Sequence, residues 1–162
     1  MIALSCSVYV SMLVLLAGLV SANGNPDEHD PPGFVQVTPI DIKWLPNPAV
    51  PGSQVAILFG NPQDAGPLAI RVKFPPGAKV MPHTHGEPRT YTVLAGEWKL
   101  GFGVKFDIAR LRSFPPGSNY RLPANVPHFQ ATGDVETIVQ IESVAPSSTD
   151  FINPLDDLRK KR

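Results

Sequence analysis

The sequence predicts a single all-β domain, an antiparallel sandwich or barrel, and three observations carry that reading. Nineteen prolines and thirteen glycines in 162 residues favour many turns over long helices. Short apolar runs recur at intervals of about 8–12 residues, each closed by turn residues. One of them, Leu68-Ala-Ile-Arg-Val-Lys-Phe74, alternates with period two. Leu68, Ile70, Val72 and Phe74 share one face, and Arg71 and Lys73 take the other, as in a strand with one buried side. The length suits one domain with one well-buried core.

Residues 1–22 carry no charged side chain, and residues 10–20 are nearly all apolar. Val20-Ser21-Ala22 then presents small residues where a signal peptidase reads. A spanning helix needs about 20 apolar residues; this run is shorter and is interrupted by serine, so a cleaved signal peptide over 1–22 is expected. Cys6, the sole cysteine, lies inside it. The exported chain would then hold together without disulfides, by core packing or by a metal. Residues 23–33 are polar and proline-rich, a flexible lead-in in which His29 is a solvated loop residue. The folded domain is expected over 34–150 and a tail over 151–162.

Within the domain, residues 55–59 form a strand that ends at Gly60-Asn-Pro62, and residues 68–74 one that ends at Pro75-Pro-Gly77. Residues 89–95 are rich in β-branched and aromatic side chains and stop at Gly96. Residues 98–102, 120–122, 129–131 and 137–144 complete the set, with Pro115-Pro-Gly117 and Thr132-Gly-Asp134 as turns. Residues 106–111 are the only helix candidate and too short to shape the fold. Residues 154–158 read as one turn over the barrel, and the basic run 159–162 as a solvated tail. Trp98, Phe102 and Phe129 are core candidates. Fourteen basic residues balance fourteen acidic ones, which removes the electrostatic case for a nucleic-acid binder.

The chemistry concentrates in two segments, Gly77-Ala-Lys-Val-Met-Pro-His83-Thr-His85 and Pro123-Ala-Asn-Val-Pro-His128. His83 and His85 are two apart, so on an extended strand both rings leave one face. His128 follows a Pro/Asn turn and opens another apolar run, which brings a third ring in from a neighbouring strand. Three neutral imidazoles converging in a barrel make a divalent metal site. Their nitrogens should then lie about 3–4 Å apart, given metal–nitrogen distances of about 2.0–2.1 Å. The alternative is three incidental histidines.

These two segments resemble the paired motifs of the cupin superfamily, small jelly-roll β-barrels. Gly77, His83, His85 and Gly96 match the first motif in spacing, and Gly117, Pro123 and His128 match the second. Asn125 stands where the family has a second glycine, and after glycine asparagine is the residue most tolerant of φ > 0. The resemblance implies a single-domain cupin barrel, similar to small exported cupins. It further implies a divalent transition metal (Fe, Zn, Mn, Cu or Ni) as cofactor, with Mn disfavoured where the family's carboxylate is lost. The partners implied are a small-molecule ligand and, as one assembly state, a second copy of the chain. No membrane contact is expected after cleavage.

At the position of the family's glutamate ligand stands Arg89, with Thr90 at the alternative spacing. A guanidinium cannot coordinate a cation. Glu87, two residues earlier, either swings to the metal or remains a turn carboxylate. Arg89 either favours an anionic ligand shared with the metal or points outward. Tyr91 and Gln130 are the other polar residues expected to line the pocket. Three functional readings stay open: a metal-dependent enzyme, of oxidoreductase or dioxygenase type, acting on a small anionic organic molecule; a non-enzymatic holder of metal or ligand; and a metal-free structural barrel. No cysteine- or serine-based nucleophile arrangement and no phosphate-cradling loop is present.

Overall fold

The alternation of residues 68–74 becomes the inner face of a long strand, with Leu68, Val72 and Phe74 buried. In the computed structural model, residues 30–160 are described; the apolar segment 1–22 and His29 lie outside them. The chain divides between Phe34 and Val35. Residues 30–34 contain one turn, in which the Phe34 N–H donates to the Pro31 carbonyl. From Val35 on the chain forms the barrel.

Its strands in chain order are β1 (Leu45–Pro46), β2 (Gln54–Phe59), β3 (Gly66–Phe74), β4 (Lys79–Thr84), β5 (Arg89–Ala95), β6 (Trp98–Phe102), β7 (Arg112–Phe114), β8 (Asn119–Leu122), β9 (His128–Thr132), β10 (Thr137–Ala145) and β11 (Asp150–Phe151). They build two antiparallel sheets, ordered β1-β2-β3-β10-β5-β8 and β11-β4-β9-β6-β7. This is the jelly-roll expected from the sequence. The only helical pieces among the described residues are three single 3-10 turns, at Ile108–Arg110, Pro154–Asp156 and Leu158–Lys160. None of the helices described is long and apolar enough to cross a membrane.

Between the sheets lie Val72, Phe74, Val93, Trp98, Val139 and Ile141. Trp98 and Phe129 are fully buried, as expected of core residues, and Phe102 packs at the edge of the core. Gly101 is dictated by that packing: a Cβ there would run into the Phe129 ring.

Two expectations change. The tail does not begin at 151, because Asp150 and Phe151 pair with Thr84 and His83 as an edge strand of the second sheet. Arg159 stays partly exposed yet is anchored instead of free. It donates to the Asp157 carboxylate and to the Thr149 carbonyl, and its guanidinium lies 5.8 Å from the Phe151 ring centroid. The Asp157 carboxylate is itself buried, so the C-terminal turns are fastened to the barrel mouth.

Candidate metal centre

Proline in a ladder is confined to edges and bulges, and Pro82 sits where the β4–β9 register shifts, between the pairs Val80↔Gln130 and His83↔His128. The shift changes which parity faces inward. Val80 and Pro82 are buried on one side of it, and His83 and His85 on the other. A bulge re-aims side chains in this way. The third ring arrives by the β8–β9 loop, where Asn125 has φ 60, the only positive φ outside glycine among the described residues. The Asn125 N–H donates to the His85 carbonyl at 2.8 Å, tying that loop to the end of β4.

The outcome is a cluster of His83, His85 and His128, each at most 3% exposed. One ring nitrogen of each lies within 4.8 Å of the other two. That bound is looser than the about 3–4 Å expected from coordination geometry.

In all three rings Nδ1 faces a backbone carbonyl: Met81 at 2.7 Å for His83, Ser148 at 2.9 Å for His85 and Val126 at 2.9 Å for His128. A carbonyl only accepts, so a neutral ring must carry its proton on Nδ1 and leave the Nε2 lone pair free. Burial keeps the rings neutral. It lowers the pKa of His83 to about 3, helped by the neighbouring His128, and that of His128 to about 4. His85 is pushed down too, by burial first and the Arg89 charge second.

The residues fit a divalent transition metal. His128 Nε2 is a buried acceptor with no hydrogen-bond donor, a condition that costs about 1–3 kcal/mol unless something fills it. Neutral imidazole nitrogens are the donors such ions take.

Glu87 does not extend the cluster. One of its oxygens accepts from Arg89 Nε at 2.8 Å and from the Ser147 hydroxyl at 2.7 Å, and the other from the Ser148 N–H at 3.1 Å. Its guanidinium partner also donates to the Ser147 hydroxyl and the Ser148 carbonyl. Burial opposes ionisation of Glu87, but the Ser147 hydrogen bond and the Arg89 charge overcome it and leave the pKa lowered. Arg89 therefore faces inward with its charge already balanced. Besides its charge, it shares a hydrogen-bond partner with the cluster: the Ser148 carbonyl takes both the guanidinium at 2.7 Å and His85 Nδ1.

The cluster opens onto a cavity of about 240 Å³. Its walls are largely apolar, with Val72, Phe74, Trp98 and Ile141 among them, and its polar lining includes His83, His85, Arg89, Tyr91, Gln130 and Arg159. Gln130, inward by its parity with His128, is 3% exposed, and its Nε2 has no hydrogen-bond partner. Tyr91 is 1% exposed and places its hydroxyl 3.1 Å from His85 Nε2. Asn47, Ser147, Thr149 and Arg159 are polar pocket residues that the sequence did not single out as such. For Arg159, only its proximity to the acidic pair Asp156-Asp157 hinted that it was held.

The barrel and its histidine cluster define a jelly-roll protein with a metal-ready interior. Among solved structures, the polyketide cyclase RemF from Streptomyces resistomycificus is similar at 18% identity and a TM-score of 0.64, over 77% of this chain and 89% of that one. An acetylacetone dioxygenase from Acinetobacter johnsonii is similar at 15% identity and a TM-score of 0.57, over 80% and 83%. An RmlC-like cupin from Shewanella frigidimarina follows at 16% identity and a TM-score of 0.54, over 67% and 87%. The fold is that of the cupin superfamily. No family model matches the chain, and no curated protein does.

Proposed function

We propose that the protein is a metal-dependent enzyme of the oxidoreductase or dioxygenase type, acting on a small organic molecule held in the barrel cavity. One observation carries this reading: three neutral imidazoles, that of His128 with an Nε2 lone pair that meets no donor, stand beside a largely apolar cavity large enough for a compact organic ligand. A divalent ion there would be held by His83, His85 and His128 and would supply a Lewis-acid or oxygen-activating centre. The apolar walls would exclude water and take the body of the ligand. The unpartnered Gln130 amide would donate to an acceptor oxygen on it. Two similar structures, a cyclase and a dioxygenase by name, lend support at the level of fold.

The charge balance revises the ligand expected from sequence. Arg89 is neutralised by Glu87 and Arg159 by Asp157, so no free cation in the cavity calls for an anion. A small, mostly apolar molecule with one acceptor group suits it better. Export is a separate proposal, supported by the uncharged apolar segment up to Ala22; N-terminal sequencing of the extracellular or periplasmic protein would test it.

Elemental analysis of the purified full-length protein tests the metal reading. About one transition metal per chain is expected, lost in His128→Ala while the far-ultraviolet circular dichroism stays β-type. Metal-free wild-type protein, or unchanged metal in the variant, would sink it. Oxygen uptake by iron-loaded protein, across a panel of small neutral and carboxylate compounds, separates an enzyme from a ligand holder.

A further inference from the structure

Position 89, where the resemblance places a carboxylate ligand, holds a guanidinium, and the nearby Glu87 is committed to Arg89, Ser147 and Ser148. Yet β5 sends a second polar side chain inward. Residues 89 and 91 share a face of the strand, and both are buried. From the geometry we infer that the Tyr91 phenol oxygen is the fourth metal ligand, taking the place of the missing carboxylate; this rests on the metal reading above.

The first support is distance. Tyr91 Oη lies 3.1 Å from His85 Nε2. Two donor atoms bound to one ion at about 2.0–2.1 Å, at angles between octahedral and tetrahedral, are themselves about 2.8–3.4 Å apart. The phenol oxygen thus already stands at ligand-to-ligand separation from one member of the histidine cluster. As a hydrogen bond the same contact has Tyr91 donating to the lone pair that a metal would use. A bound ion and the O–H proton therefore compete for His85 Nε2, and coordination displaces the proton to solvent.

The second support is rigidity. The Tyr91 ring stacks on Tyr120 with centroids 4.8 Å apart and planes 7° from parallel. Tyr120 is anchored in turn by the Trp98 indole N–H, which donates to its hydroxyl at 2.9 Å. A clamped ring presents its oxygen at a fixed point, which limits the conformational entropy lost on coordination.

The test uses the full-length protein and two probe ions, Fe(III) and Zn(II). With one equivalent of Fe(III), a phenolate-to-iron charge-transfer band should appear in the visible, with tyrosinate ring modes under resonance Raman excitation. Tyr91→Phe keeps the stacked ring; it should abolish the band and weaken Zn(II) binding tenfold or more, about 1.4 kcal/mol. The wild-type spectrum is informative even if the variant fails to fold. Iron bound by the wild type without the band, or a band that survives Tyr91→Phe, overturns Tyr91 as a ligand and leaves the three-histidine site standing. Wild-type protein that binds neither ion overturns both.

Discussion

Two polar clusters share the cavity wall and could hardly differ more in how they are satisfied. In the Glu87–Arg89 pair each charge meets its partner, and Ser147 and Ser148 take up further hydrogen-bonding positions. In the histidine cluster every Nδ1 is satisfied, but the Nε2 of His128 meets no donor at all and that of His85 meets only Tyr91. Buried polar groups are normally paired. A closed network of this kind is architecture, and a cluster of buried lone pairs left open is a place for a ligand. Arg89, where the resemblance expects a metal-binding carboxylate, belongs to the closed network.

Acid should separate the clusters most strongly. Unfolded histidines take up protons below about 6.5, while in the folded metal-free protein His128 stays neutral to about 4 and His83 to about 3. The unfolded state then binds more protons, so stability falls as pH falls through that window. Each such histidine contributes a slope of about 1.4 kcal/mol per pH unit. Glu87, with its pKa lowered from 4.5, loses its contribution only below that value. Urea denaturation of metal-free protein between pH 7 and pH 5 should therefore show a steep decline from the histidines alone. A flat profile would place the rings in water.

Breaking the closed network comes next in size. Arg89→Ala strands a buried carboxylate and should cost about 3–5 kcal/mol. Replacing both partners, Glu87→Leu with Arg89→Met, should recover most of that loss in the same denaturation experiment. If the single variant is nearly silent, the pair is more solvated than its burial indicates.

The open cluster should behave in the opposite sense. His128→Ala removes an orphan acceptor as well as packing, so the two effects offset. Metal-free stability should change by about 1 kcal/mol or less, even though metal binding is lost. A loss of similar size is expected at the loop that delivers His128: Asn125→Ala must hold φ 60 without a tolerant side chain and should cost about 1 kcal/mol. Asn125→Gly should be close to neutral.

The long strands were legible because their periodicity is local. Residues 89–95 and 98–102 were bounded correctly by composition and by Gly96 alone. β1, β7 and β11 were not, since two or three residues carry no period and exist only through their ladder partners. The histidine cluster was legible from i, i+2 parity and a Pro/Asn turn, although the bulge at Pro82 that makes the parity work was not. What stayed hidden is what depends on residues far along the chain. The Glu87–Arg89 network closes through Ser147 and Ser148, some 60 positions away. Without them Arg89 reads as a free cation, and the anionic ligand followed from that reading.

The histidine cluster is tested most directly by ¹⁵N-histidine correlation spectra of metal-free protein titrated with Zn(II). His83, His85 and His128 should all start as Nδ1–H tautomers, held by the Met81, Ser148 and Val126 carbonyls. At one equivalent of zinc their three Nε2 resonances should shift together while the Nδ1–H signals persist. An Nε2–H tautomer at any of the three, or a ring whose Nε2 ignores zinc, would contradict a shared three-histidine site.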